Sequence, residues 1–91
     1  MNIIMEKKYG LEFDRKGCIG AAICCAVSKR FWKFNDKDGK VDLAGSLRSH
    51  DNDIQTLEIE EKDFKENYDA AISCPVNVIH IKELKTGKKL I

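Results

Sequence analysis

The stretch that decides the fold is Cys18-Ile19-Gly20-Ala21-Ala22-Ile23-Cys24, and it has a distant partner at Cys74-Pro75. Two cysteines six positions apart on a short loop can enclose one compact object of several atoms, whereas a single ion is usually held by closer C-x-x-C pairs. Gly20 permits a positive φ and lets backbone amides approach the bound object. The pattern therefore predicts a binding loop that is closed from the far end of the chain.

Length and composition predict one small domain over residues 1–91. A chain of 91 residues buries only a modest core, so a bound group that joins its two halves would stabilise it. Hydrophobic residues make up 43% of the chain, which is typical of a folded protein. If the chain is intracellular, as expected, its four cysteines favour metal or redox chemistry over a disulfide framework.

Charge and hydropathy narrow the class of partner and the location. Charged residues reach 34% of the chain, but the net charge is only +1, and a nucleic-acid binder would show a dominant basic patch. No apolar run approaches the roughly 20 residues that span a bilayer, and residues 1–8 do not have the form of a signal peptide. We therefore expect a cytoplasmic protein that contacts neither membrane nor nucleic acid.

Hydrophobic periodicity predicts alternating strands and helices, with turn formers between them. In chain order the predicted elements are strands at 3–5 and 9–13, a short helix at 24–29, a hairpin over 31–43, a strand at 56–60, a helix over 61–73 and a strand at 76–84. Residues 44–55 are polar and lack periodicity, which predicts a surface loop. Phe64, Tyr68, Ala71 and Ile72 form the apolar stripe of the second helix, which Pro75 ends.

The cysteine positions resemble those of the bacterial-type ferredoxins, whose run C-x-x-C-x-x-C-x-x-x-C-P holds a cubane iron–sulfur cluster. The resemblance covers a cluster-binding core of about residues 9–84, and its specific part is Cys18, Cys24 and Cys74-Pro75. It implies an α+β, ferredoxin-like, pseudo-symmetric βαββαβ fold with one iron–sulfur cluster. It also implies an electron carrier rather than an enzyme.

Two positions depart from the ferredoxin run. Ala21 replaces the second cysteine, and Ser28 replaces the last one. In two-cluster ferredoxins the cysteine in the place of Ser28 reaches the other cluster, but residues 26–73 contain no cysteine, so a second cluster would lack every ligand. The resemblance therefore implies one cluster.

Carried over by position, the cluster ligands are Cys18, Cys24 and Cys74. Ala21 has no donor atom for a fourth iron, which makes the chain similar to the single-cluster, three-iron ferredoxins that supply monooxygenases. The expected cofactor is a [3Fe-4S] cluster. The alternative is a [4Fe-4S] cluster whose fourth iron is bound by Cys25, by another group or by solvent.

We expect the other cysteine, the serine, the aromatic residues near the loop and the two histidines to have structural roles and not to bind the cluster. We interpret Cys25 as a packed thiol on the short helix, and Ser28 as structural because its hydroxyl must lose a proton to bind iron. Phe31, Trp32 and Phe34 are expected to form the wall of the core and of the cluster pocket. His50 and His80 have no partner spacing that suggests ligation.

The expected function is to carry single electrons between cytoplasmic redox enzymes of the oxidoreductase or monooxygenase type, as a monomer that docks transiently. A basic rim could steer docking onto an acidic surface. It consists of Lys29, Arg30 and Lys33, which follow the cysteine loop, and of Lys82, Lys85, Lys88 and Lys89 near the C-terminus. Functions of other classes stay open on sequence alone. The three cysteines and a fourth ligand could hold structural zinc, or loss of the cluster could act as a redox signal.

Overall fold

A four-stranded antiparallel sheet forms one layer of the protein, in a computed structural model that describes residues 7–21 and 23–91. The strand order is β4-β5-β1-β6. Its strands are β1 (Tyr9–Asp14), β4 (Leu47–Arg48), β5 (Ile54–Ile59) and β6 (Ile79–Glu83). Leu11 in the central strand pairs with Leu57 of β5 on one side and Ile81 of β6 on the other. The first and last strands of the chain are therefore neighbours, which brings the regions around Cys18 and Cys74 to one part of the molecule.

Two helices pack against each other beside the sheet. They are α1 (Ile23–Val27) and α2 (Phe64–Ser73), and a 3-10 turn at Glu61–Asp63 leads into α2. The chain leaves α2 at Cys74 in an extended conformation, because Pro75 follows and disfavours helical backbone in the residue before it. Each helix is thus followed at once by a residue from the cysteine pattern, Ser28 after α1 and Cys74 after α2.

A separate hairpin lies between the two helices in the sequence, as predicted. It consists of β2 (Trp32–Asn35) and β3 (Lys40–Leu43), with Trp32 paired to Leu43. Its turn contains Gly39 with a φ of 71°, a conformation that side chains disfavour.

The core lies between the inner face of the sheet, the helices and the hairpin. Phe13 of β1 meets the ring of Trp32 edge to face, with their centroids 5.0 Å apart. The Trp32 indole N–H donates to the Asn67 side-chain oxygen at 2.9 Å, which satisfies a polar group in the interior. The fully buried apolar side chains around this pair are Leu11, Val41, Leu43, Ile59, Ala70, Ile79 and Ile81.

The expected α+β fold and its order of elements are confirmed, with local corrections. The predicted loop over 44–55 contains β4, and β5 begins already at Ile54, because both pair with neighbouring strands. The last strand begins at Ile79 rather than at residue 76. Ile72 is 54% exposed, so the predicted stripe of α2 was wrong there, and Asn67 and Ala70 are buried in its place. The predicted strand at 3–5 lies outside the described residues.

Candidate cluster site

Cys18, Cys24 and Cys74 line one cavity at the end of the molecule where the cysteine loop meets the segment after α2. Ala21 lines the same cavity and presents no donor atom to it. The rest of the lining is apolar: Phe13, Ile19, Ile23, Val41, Pro75, Val76, Val78 and Ile79. Tertiary structure therefore brings together three thiols that are up to 56 positions apart in the sequence.

Local backbone structure places each of the three cysteines. The Cys18 N–H donates to the carbonyl of Arg15 at 3.1 Å, closing a 3-10 turn directly before the loop. Cys24 lies in the first turn of α1 and is 8% exposed. The Cys74 N–H donates to the Ala71 carbonyl at 3.3 Å, and Pro75 ends the helix there. The three thiols therefore come from a turn, a helix start and a helix end.

Two glycines allow the loop to lie close to its neighbours. A Cβ added to Gly17 would come within 2.8 Å of the Val78 side chain, so with any larger residue either Val78 or the loop would have to shift. Gly20 has a φ of 74°, and a Cβ there would collide with the carbonyl oxygen of Gly39 at the hairpin tip. The loop therefore needs glycine at position 20 for both its backbone angle and its packing.

Burial and hydrogen bonding set the chemistry of the sulfur atoms. Burial, together with the neighbouring thiols of Cys25 and Cys18, raises the pKa of the Cys24 thiol to about 12. The Gly20 backbone N–H donates to the Cys18 Sγ at 3.4 Å. Such a donor stabilises negative charge on sulfur, as a cluster ligand requires.

The donor set fits an iron–sulfur cluster. Thiolates are the ligands that such clusters use, and the apolar walls limit access of water. Among the described residues, no three His, Cys, Asp or Glu side chains converge closely enough to hold one metal ion. The three thiols instead surround a shared space, which is the arrangement that a bound group of several atoms needs.

Cys25 does not line the cavity. Its thiol is half-buried and interacts with the thiol of Cys24, and burial raises its pKa. Adjacent residues on a helix point in different directions, so Cys24 faces the cavity and Cys25 does not. This placement agrees with the interpretation of Cys25 as a packed thiol.

Ser28 lies in a polar cluster on the interface between the two helices. It is 1% exposed, and its hydroxyl donates to Glu66 at 2.5 Å. Arg30 pairs with Glu66 and with Asp63, the latter at 2.8 Å. The position where a two-cluster ferredoxin has a cysteine is here occupied by a hydroxyl bonded to a carboxylate.

The walls of the cavity differ from those that the sequence predicts. Phe31, Trp32 and Phe34 were expected to form the wall of both the core and the cavity. Trp32 is buried in the core and Phe31 packs against it, as expected, whereas Phe34 is exposed and none of the three lines the cavity. Phe13 and Val41 form the wall instead. Alternation in β1 and β3 indicated that these two residues face inward, but it could not indicate which part of the interior they face. His50 and His80 also lie outside the lining.

Comparison with known proteins places the chain in a family. A family profile described as "4Fe-4S single cluster domain" matches residues 11–81. The structure is similar to that of wild-type Hydrogenobacter thermophilus ferredoxin 1, with a TM-score of 0.63 and 17% sequence identity over 84% of this chain and 99% of that one. A single-substitution variant of the same ferredoxin matches equally well. No protein with a curated description matches the sequence significantly.

The fold of this chain is thus ferredoxin-like, and the profile covers all three cavity cysteines and Ala21. The helices of the described residues include none that is long and apolar enough to cross a membrane. Because the family profile spans residues 11–81, the chain belongs to the family of 4Fe-4S single cluster domains and is a ferredoxin-type iron–sulfur electron carrier.

Proposed function

We propose that this protein carries one electron at a time between cytoplasmic redox enzymes, using a single [3Fe-4S] cluster held by Cys18, Cys24 and Cys74. One observation carries the proposal: three thiols and Ala21 line the same cavity, so the protein offers one thiolate for each of three irons and no donor at the second ligand position. Exchange of one electron is the chemistry that the cluster supplies when it is bound.

The residues of this chain bind the cluster and tune its environment. Cys18, Cys24 and Cys74 hold it as thiolates, and the side chains of Phe13 and Val41 exclude water from one side. The Gly20 N–H donates to the Cys18 sulfur, which favours the more negative, reduced state. No acid, base or nucleophile is required, since electron exchange breaks no bond in a partner.

A four-iron cluster is the alternative, and the description of the matching family favours it. It needs a fourth ligand that Ala21 cannot provide. Cys25 is the one cysteine of the sequence that is not already a predicted ligand, but it lies outside the cavity lining. Binding through Cys25 would require the start of α1 to rearrange, whereas the three-iron cluster needs only the residues already at the cavity.

Iron and sulfide analysis with EPR of anaerobically purified protein tests the cluster type. We expect an iron-to-sulfide ratio near that of three irons to four sulfides, and an EPR signal in the oxidised state. A protein that is EPR-silent when oxidised and paramagnetic when reduced contains a four-iron cluster and contradicts the proposal. A colourless protein without sulfide contradicts iron–sulfur binding altogether.

The surface around the cavity supports transient docking to an acidic partner by a monomer of this protein. Ile19 and Ile23 line the cavity and are exposed, and Phe34 is exposed beside Gly20. Lys29 and Lys33 are exposed in the segment that follows α1. An apolar centre with a basic margin fits a redox enzyme whose docking site is apolar and rimmed by carboxylates.

Arg30 contributes less positive charge to this basic margin than the sequence predicts. Its guanidinium is paired with Asp63 and Glu66, so its charge is largely offset where it lies. Steering is therefore expected to depend on Lys29 and Lys33. Once a partner enzyme is identified, the double change Lys29→Gln and Lys33→Gln should lower the association rate at low salt by roughly threefold to tenfold.

The matched control is the double change Lys85→Gln and Lys88→Gln, which removes the same charge from the exposed C-terminal part of the predicted rim. These two lysines follow the end of β6, whereas Ile79, the residue of β6 that lines the cavity, is at its start. Stopped-flow measurement at several salt concentrations compares the two variants. Equal association rates for both variants would show that net charge, and not this surface, governs docking.

A further inference from the structure

The tip of the β2–β3 hairpin rests on the cysteine loop. The Gly39 carbonyl lies against Gly20 so closely that a Cβ on Gly20 would collide with it. Gly20 is also the residue whose backbone N–H donates to the Cys18 Sγ at 3.4 Å. The residue that contacts a ligand sulfur is therefore held from its other side by the hairpin.

Arg15 ties the hairpin tip to the start of the cysteine loop. Its guanidinium contacts the Asp38 carboxylate at 2.7 Å and the Asp42 carboxylate at 2.8 Å, and it donates to the Val41 carbonyl at 3.1 Å. Arg15 is 7% exposed and Asp42 is half-buried, so the pair that they form is shielded from water, whereas Asp38 is exposed and its pair with Arg15 is open to solvent on one side. Asp38 lies next to Gly39, and the Arg15 carbonyl accepts the N–H of Cys18.

Lys40 makes a second attachment from the other side of the tip. Its ammonium group donates to the Lys16 carbonyl at 3.0 Å and to the Arg15 carbonyl at 3.3 Å. These carbonyls belong to the turn that delivers the chain into Cys18. Asp38 and Lys40 thus flank Gly39 and fasten it, by opposite charges, to the same three-residue turn.

We propose that Asp38 and Lys40 are positioning residues for the cluster: they hold the Gly39 carbonyl against Gly20 and thereby fix the Gly20 N–H on the Cys18 sulfur. The inference rests on the proposed function and adds control of the reduction potential by the hairpin tip. A backbone N–H aimed at a thiolate sulfur stabilises the reduced cluster more than the oxidised one, because the reduced cluster carries more negative charge. Loosening the tip weakens this bond and lowers the potential.

Two matched pairs of variants separate positioning from simple charge. Lys40→Met and its control Lys37→Met each remove one positive charge from the same turn, and the Lys37 side chain is exposed. Asp38→Asn and its control Asp36→Asn each remove one negative charge, and Asp36 is exposed. If charge alone acted, loss of a lysine would lower the reduction potential relative to the wild type, because a positive charge stabilises the reduced cluster. Loss of an aspartate would raise the potential for the opposite reason.

If Asp38 and Lys40 position the Gly20 N–H, the variant should have a lower reduction potential than its control in both pairs. Voltammetry of the purified holoprotein should show a lower potential for Lys40→Met than for Lys37→Met, and also a lower potential for Asp38→Asn than for Asp36→Asn. Lys40→Arg, which keeps the charge and the donors, should restore most of the wild-type value. A purely structural role would lower the unfolding midpoint of Lys40→Met and Asp38→Asn but leave the potential at that of the controls.

Resonance Raman spectroscopy gives a second readout. Exchange of the N–H for N–D should shift the iron–cysteine stretching bands of the wild type and both controls, and should shift them less in Lys40→Met and Asp38→Asn. Potentials and isotope shifts equal to those of the controls would overturn the positioning role while leaving the electron-carrier function intact. A wild-type protein without a reversible redox wave would overturn the proposed function, and with it this inference.

Discussion

Cys74 and Ser28 occupy the same place in the two halves of the molecule, and their surroundings differ. Each follows the last residue of a helix, α2 or α1. Cys74 faces an apolar cavity together with two other thiols. Ser28 is buried among polar groups, where its hydroxyl donates to Glu66.

The difference shows how one half of a pseudo-symmetric fold can hold a cofactor while the other half is filled by side chains. Around Ser28, ion pairs of Arg30 with Asp63 and Glu66 join the segment after α1 to the start of α2 without any bound group. Asn67 and Trp32 complete the interior beside it. We therefore expect the Cys74 half to depend on its cluster and the Ser28 half to depend on hydrogen bonds.

The largest effect should come from removing a thiol at the cavity. Cys74→Ala leaves only two protein ligands, so we expect the purified protein to lose nearly all its iron and its visible absorption. Cys25→Ala is the matched control and should keep both, because Cys25 lies outside the cavity. Iron analysis and visible spectra check this prediction, and loss of iron from Cys25→Ala would identify Cys25 as a ligand.

A fourth thiol in the lining of the cavity should change the cluster type from three irons to four. Ala21 lines the cavity, so Ala21→Cys places a sulfur at the position that lacks a donor. We expect a four-iron cluster that is EPR-silent when oxidised, in contrast to the wild type. Ser28→Cys is the comparison variant in the other half, and it should leave the EPR spectrum unchanged because residues 26–73 contain no other cysteine that could help to hold a second cluster. A second cluster in Ser28→Cys would contradict the proposed difference between the halves.

Removal of Asn67 should have the next largest effect, confined to stability. Asn67 accepts from the Trp32 indole at 2.9 Å and donates to the Asp63 carbonyl at 2.9 Å, and it is fully buried. Asn67→Ala leaves the buried Trp32 indole N–H without its acceptor and removes one of the hydrogen bonds to the Asp63 carbonyl, which should lower the free energy of unfolding by about 1–3 kcal/mol. Urea unfolding of the holoprotein measures the loss, and the EPR spectrum should stay that of the wild type.

The smallest effect is expected at Ser28 itself. Ser28→Ala removes one hydrogen bond to Glu66, whose carboxylate keeps Arg30 as a partner. We expect the free energy of unfolding to fall by about 1 kcal/mol. Glu66→Gln, which weakens the contacts with both residues, should cost more than Ser28→Ala. Equal values for the two variants would show that the pairing with Arg30 contributes nothing measurable.

Much of the fold could be predicted because it depends on local patterns. Alternation in β1, the turn residues between β2 and β3, and Pro75 after α2 each specify backbone structure within a few residues. The short strand β4 could not be predicted in this way. It exists because Leu47 and Arg48 pair with β5, and residues 44–55 alone show no strand period.

For the candidate site, too, some properties could be predicted from the sequence and others could not. The identity of the thiols, the loss of a donor at Ala21 and the absence of cysteine from residues 26–73 are properties of the sequence itself. Together they predict one cluster with three cysteine ligands. They can do so because residue type determines donor chemistry, and donor chemistry does not depend on how the chain folds.

Only the tertiary structure decided what surrounds those thiols. It placed Phe13 and Val41 on the cavity wall, turned Cys25 away from it and bonded Ser28 to Glu66. It also set the Gly39 carbonyl against Gly20, a contact between a hairpin tip and a loop 19 positions away. Such contacts depend on how distant elements pack, and no local pattern of polar and apolar residues encodes that packing.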